Sequence, residues 1–264
     1  MIKFSKPIFC SYILLTAVAA QTFTSPEKIA EIRARATQGS AADQYFLGVM
    51  YSEGVGIEKD AAEGLRWFQK AAEQGDAISQ HTLGLIYDTG RVVPKDDQEA
   101  VKWYRKAADQ SYAPSLNYLG LHYANGEGIE KNEALALQLF QRAAELGDAV
   151  AQWNLGVKYA DGTGVPMDKA KGFHWLAKAA DGGQAQAQAY LGLAYVSGSN
   201  VPRNPVEGYK WLVLSAQQGD EHARKALQLV EGKWVTSLQQ AEGLRLAREF
   251  TPRQPPRQPP RLRQ

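Results

Sequence analysis

A leucine-glycine pair returns every 36 residues, and that period restricts the chain to a stack of similar supersecondary units. Leu47-Gly48 recurs as Leu83-Gly84, Leu119-Gly120, Leu155-Gly156 and Leu191-Gly192. Tyr51, Tyr87, Tyr123, Tyr159 and Tyr195 keep the same step, and so do Gly54, Gly90, Gly126, Gly162 and Gly198. Trp67, Trp103, Leu139, Trp175 and Trp211 come later in each copy, ahead of a small pair that runs from Ala71-Ala72 to Ser215-Ala216. Five gapless units follow: 41–76, 77–112, 113–148, 149–184 and 185–220.

Each unit reads as two helices. Leu47 and Tyr51 are four apart and share a face of the first. Gly54 to Gly56 breaks it. The second starts at Asp60, Asp96, Asn132, Asp168 or Asn204, residues whose side chains accept an orphan amide at an N-cap, and Pro205 suits the first helical position. It ends near Gly75, Gly147, Gly183 and Gly219. A glycine inside a helix costs about 1 kcal/mol relative to alanine, so Gly48 and its copies imply close backbone approach. They are expected to face the small pair of a neighbouring helix. Gly64, Ala100, Ala136, Gly172 and Gly208 form a second row of small residues, and the recurring tyrosines and tryptophans are expected in the core.

The ends differ from the units, as the ends of a stack must. Residues 21–40 read as an N-terminal capping segment, its helix opening at Ser25-Pro26. Residues 221–250 read as C-terminal capping helices: a degenerate first helix over 221–230, then a closing helix from Ser237 with a Ser237–Gln240 capping box. Before them, Lys3 and Lys6, an apolar Ile8–Val18 stretch and Ala17-Val18-Ala19-Ala20 form a signal-peptide pattern over 1–20, with cleavage near Ala19 or Ala20 and a periplasmic or secreted product. The apolar stretch is too short to span a bilayer. Cys10, the sole cysteine, would leave with that segment, so the fold must hold by packing alone. Residues 251–264 are rich in proline and arginine and are expected to be disordered.

The net charge of +2 falls to 0 without residues 1–20, and the four arginines of the last 14 residues leave about −4 on 21–250. A body of that sign lacks the basic face that nucleic acid demands.

The pattern A-x5-L-G-x2-Y-x2-G-x-G, then [DN] and W-x3-A-A, resembles the Sel-one-like repeat (SLR) family, a relative of the tetratricopeptide repeats. The resemblance spans roughly 26–250. It implies an all-α fold, a right-handed α-solenoid of antiparallel helix pairs, used as a scaffold or adaptor for proteins of the cell envelope or of a host. Two rival readings stand beside it. Cysteine-rich members are described as β-lactam-binding or weakly β-lactamase-like, but their disulfide cysteines are missing here. An immunity or inhibitor role against a secreted toxin is the other.

The residues suggest no enzyme. His81, His122, His174 and His222 lack metal-ligand spacing and are expected at the surface or in a groove. Ser25-Pro26-Glu27-Lys28 formally matches Ser-x-x-Lys, yet its Ser-Asp-Asn and Lys-Thr-Gly companions are missing, and Ser25 reads better as an N-cap. No metal or cofactor is implied. A partner surface is instead expected where units vary but point outward. Counting the opening alanine as position 1, positions 5, 9, 12 and 13 share a helical face. Valine or leucine always fills position 9 and reads as partial core. The candidate protein-binding groove is Tyr45, Glu53, His81, Asp88, Asn117, Asn125, Trp153 and Asp161, with Tyr45, His81 and Trp153 as anchors for a peptide or helix.

Overall fold

The computed structural model describes residues 25–199 and 201–253. The expected signal segment and the tail from residue 254 lie outside the described residues. Within them are thirteen helices and no strand. The capping helix α1 is Pro26–Thr37. Five pairs follow: α2 Ala41–Glu53 with α3 Ala61–Glu73, α4 Ala77–Thr89 with α5 Asp97–Asp109, α6 Ala113–Asn125 with α7 Glu133–Glu145, α8 Ala149–Asp161 with α9 Lys169–Asp181, and α10 Ala185–Ser197 with α11 Pro205–Gln217. Two helices close the chain, α12 Glu221–Val230 and α13 Ser237–Glu249. The described residues form two compact units that divide after Lys106, inside α5.

Each hairpin is built by local chemistry. Asp60 accepts amides from Ala62 and Glu63, Asp96 from Gln98 and Glu99, Asn132 from Leu135, Asp168 from Lys171 and Asn204 from Glu207. These are the predicted caps. The first helices end at Gly54, Gly90, Gly126, Gly162 and Gly198, all left-handed, a conformation glycine adopts without a Cβ penalty. The loop is then clamped. The Asp60 N–H donates to the Tyr51 carbonyl at 2.8 Å, and the same bond recurs in every copy to Asn204–Tyr195. The helices that open at Ala77, Ala149 and Glu221 carry a further cap that the 36-residue motif did not single out. Asp76, Asp148 and Asp220 accept the amides of Ser79, Ala151 and Ala223.

The recurring glycines do not face the small pair, contrary to expectation. A Cβ on Gly48 would lie 2.7 Å from the Phe68 ring, and one on Gly84 2.4 Å from the Tyr104 ring. Phe140, Leu176 and Leu212 occupy the same place against Gly120, Gly156 and Gly192. The glycine is thus a socket for the large side chain that follows each Trp or Leu139, and Phe68, Tyr104, Phe140, Leu176 and Leu212 are all fully buried. The second small row completes the crossing: a Cβ on Gly172 would be 2.9 Å from the Gly156 carbonyl, backbone against backbone. Three of the recurring tryptophans sit in the core as predicted, and Trp175 is half-buried. Trp67 packs with Ile29, Ile32, Leu47 and Met50, and Trp103 with Val49, Phe68, Leu83 and Ile86. In the second unit Trp211 joins Leu191, Leu212, Val230 and Ala247.

Successive hairpins are joined by a buried glutamine at position 4. Gln44 donates to the Ala36 carbonyl and Gln80 to that of Ala72, both at 3.0 Å. In the second unit Gln152 donates to the Ala144 carbonyl at 3.0 Å and Gln188 to that of Ala180 at 3.1 Å. The end of one second helix is therefore tied to the next first helix. At the start of the third repeat this device changes: Leu116 replaces the glutamine, Tyr112 caps nothing with its side chain, and Ser111 takes φ 61° where the other turns use glycine.

The closing helix is capped one residue earlier than the sequence suggests. Thr236, with Gln239 returning to its backbone N–H, forms the capping box. α13 packs on α11, where Gly243 allows an approach to the Val206 carbonyl.

The glutamine tie is testable. Gln188→Ala removes the donor to the Ala180 carbonyl and the acceptor of the Gln218 amide. It is expected to lower unfolding free energy by about 1–3 kcal/mol. Gln152→Leu, which copies the arrangement at Leu116, should cost less. Urea unfolding followed by circular dichroism measures both; equal losses would contradict the tie.

Candidate protein-binding surface

Which positions of a first helix face solvent follows from the socket. With positions 7 and 8 turned to the partner helix, the opposite stripe is 2, 6, 9 and 13, spaced at helical intervals. Exposure bears this out at its ends and varies in its middle. In the first unit Phe46, Ile78 and Glu53 are exposed while Val49, Thr82 and Leu85 are buried. In the second unit Val150, Asn125, Asp161, Gln186, Tyr190, Leu193 and Ser197 are exposed, with Tyr118, Leu121, Asn154 and Val157 half-buried. α6 touches α8, and α10 touches α12, so stripes lie side by side there.

The expected groove residues divide accordingly. Glu53, Asn125 and Asp161 at position 13 are exposed, and Asp88 is half-buried. Position 5, however, turns inward. Tyr45 lies against the Phe68 ring at 5.7 Å and is half-buried. His81 lies against Tyr104 at 5.6 Å and is 9% exposed. Asn117 is 1% exposed and accepts a bond from the Asn154 amide at 3.0 Å. Trp153 packs on the core of the second unit. His81 and Asn117 are therefore not outward-facing, because position 5 lies one residue before the outward position 6. Phe46 and Tyr190, at position 6, are exposed, and sequence reasoning misses them for the same reason. His122 is also buried, its Nδ1 2.9 Å from the Glu127 carbonyl, whereas His174 and His222 are exposed as expected.

A shallow apolar cleft lies at the C-terminal end of the described residues. Leu193, Val196, Ser197, Val230 and Trp234 line its volume of about 180 Å³. Val196 and Val230 form its buried floor, while Leu193 and Trp234 stand 46% and 47% exposed at its rim. Arg203 holds the rim, donating to the carbonyls of Val196 at 3.0 Å and Trp234 at 2.8 Å. Such a cleft can take an apolar side chain by desolvation and contact. The Ser25–Lys28 match is spent on structure: Ser25 Oγ accepts the Lys28 amide, and the Lys28 ammonium pairs with Glu31 at 2.7 Å. Among the described residues no group of three His, Cys, Asp or Glu is placed to hold a metal ion.

The model of the Sel1 repeat matches residues 41–76, 77–112, 113–148, 149–184 and 185–220. The chain belongs to the Sel1 repeat family. Among solved structures it is similar to a Sel1 repeat protein from Oxalobacter formigenes, at 32% identity and TM-score 0.69, over 88% of this chain and 93% of that one. It is also similar to c5321, a protective antigen of uropathogenic Escherichia coli with an SLR fold, at 30% identity and TM-score 0.62. That match covers 84% of this chain, which spans about half, 49%, of the antigen. The immunity protein Pa5087 of Pseudomonas aeruginosa, at 24% identity and TM-score 0.54 over 80% of this chain and 82% of that one, shares the fold alone. No curated protein matches the chain significantly. Sel1 repeats are a scaffold fold, generally used for protein interaction and generally non-enzymatic, and no described helix of this member is long and apolar enough to cross a membrane.

Burial pushes the imidazole of His81, in the second Sel1 repeat, down to about 4. Unfolded histidine binds a proton near pH 6.5 while the buried ring stays neutral, so stability is lost as pH falls from about 6.5 towards 4. The loss amounts to about 3 kcal/mol at most. Urea midpoints at pH 7 and pH 4.5 should therefore fall further for the native chain than for His81→Asn. A native-to-variant difference that ignores pH would show that the ring takes up its proton in the folded state.

Proposed function

We propose that this Sel1 repeat protein is an exported scaffold that binds a protein partner in the cell envelope or at a host surface. It does so through the outward stripe of the first helices in its second unit and the cleft that ends it. The carrying observation is the exposed pair Leu193 and Trp234 around a buried floor, with exposed Tyr190 one turn before Leu193 on the same helix. Aromatic side chains on a rigid support are favoured anchors, because they bury much area and lose little rotamer freedom. An amphipathic helix or extended segment with an apolar side chain at the cleft fits this surface. Export is supported by the basic, apolar and small-residue order of residues 1–20, and by the 30% identity to a chain that is a protective antigen.

Two measurements test the reading. Mass spectrometry of the protein made in its own cells should show a mature N-terminus at residue 20 or 21, in a fraction outside the cytoplasm. Photo-crosslinking from position 190 should yield a discrete partner, which Leu193→Asp with Trp234→Ala abolishes while the unfolding midpoint stays within a few degrees. An intact N-terminus in the cytoplasm would remove the export element. Undiminished crosslinking in the double variant would remove the cleft.

A further inference from the structure

The cleft between Leu193 and Trp234 is built from a basic stretch of an acidic chain. Residues 21–250 carry a net charge of about −4. The segments around the cleft reverse that sign. Residues 186–199 hold no charged side chain, and over 201–203 and 222–236 four cations, Arg203, Arg224, Lys225 and Lys233, stand against one acid, Glu231. Arg224 pairs with the Glu221 carboxylate. Arg203, Lys225 and Lys233 have no ion pair among the described residues. Glu231 is turned to the Tyr209 hydroxyl, which donates to it at 2.7 Å.

The rim is held in place. Arg203 directs one N–H to the Val196 carbonyl and one to that of Trp234, so a guanidinium with five N–H groups keeps three for another acceptor. Both carbonyls belong to residues that line the cleft, so the cation stands beside the apolar floor. The Trp234 N–H donates to the Val230 carbonyl at 2.9 Å, and the Gly232 N–H closes the turn on the Val235 carbonyl at 3.2 Å. A rim fixed in this way loses little freedom when it binds. Lys233, next to Trp234, is exposed, and Lys225 lies one turn before the exposed Leu229 on α12.

We propose that the cleft takes a short linear protein segment in which one bulky apolar side chain is flanked by aspartate or glutamate. The apolar group enters between Leu193 and Trp234, and the carboxylates meet Arg203 and Lys233. This deepens the reading of the cleft as the partner site and rests on it. The apolar group supplies contact, while the charges set orientation and speed of encounter, because exposed pairs add little affinity each but steer approach. A concave site suits a side chain that projects from a segment. A planar lipid surface meets the rim and leaves the floor of Val196 and Val230 unfilled.

Selection of a random-peptide display library on the full chain tests the proposal. Enriched peptides should pair a large apolar residue with Asp or Glu, and one of them, made synthetically, should lose binding to Leu193→Asp with Trp234→Ala. Its affinity should fall about five-fold with Lys233→Glu, a change at an exposed turn residue that leaves the unfolding midpoint in place. Rising salt should weaken binding to the native chain more than to K233E. The same peptide with lysine in place of its acids should prefer K233E to the native chain. Peptides that need the cleft yet carry no acid, or that bind K233E as tightly as the native chain, would overturn the acidic segment and leave the partner site standing. Enriched peptides indifferent to the cleft variant would overturn both. Sedimentation with phosphatidylserine–phosphatidylcholine vesicles, lost in the cleft variant while no peptide is enriched, would assign the surface to lipid, and cleft-dependent self-association would assign it to a second copy; either result overturns the proposal.

Discussion

The seating of one large side chain on a glycine of the facing helix fixes this architecture. Because Gly48 and its counterparts lack a Cβ, the ring or leucine at 68, 104, 140, 176 and 212 reaches the backbone of its partner helix. The crossing that results is too close for rotation of either helix without a clash, and dense protein interiors transmit such constraints. Everything outward follows from it. With the socket facing inward, positions 2 and 13, and in some units 6 and 9, are left for solvent or a partner.

Much of this is legible in the sequence, and the failures have physical causes. The period sets the units, the caps and the helix ends, because Asp, Asn and left-handed glycine act locally and recur in step. The direction of a helical side chain is a finer matter. A register error of one residue moves a side chain by about 100° around the helix. Thus Tyr45, His81 and Trp153 read as outward from the sequence, whereas Phe46 and Tyr190, one position on, are the exposed aromatics. The variability of position 5 is a misleading signal: it reflects differing neighbours inside the stack, as with His81 against Tyr104 and Asn117 against Asn154.

The glutamine tie is visible in the sequence but carries no meaning there. Gln44, Gln80, Gln152 and Gln188 recur at one position, yet a polar residue in a helix suggests solvent until the carbonyl it satisfies is known. Each of these carbonyls also accepts the N–H of the turn glycine, as that of Ala72 does from Gly75 at 3.0 Å, and the glutamine of the next hairpin fills its second acceptor site. The cleft at Leu193 and Trp234 has no sequence signal, since Trp234 belongs to a turn outside the repeat.

The altered junction around Ser111, Tyr112 and Leu116 bears on how such an array can grow. Where glutamine fills position 4, each copy brings a second donor to a carbonyl in the last turn of its predecessor. The third copy brings leucine instead and is matched to a turn with a serine in the left-handed conformation. Moved elsewhere by recombination, it would leave the preceding helix end with the turn N–H alone on that carbonyl, without the amide that ties the two hairpins. The five hairpins are thus not exchangeable modules, and lineages carrying this junction are expected to gain or lose copies on either side of it rather than across it.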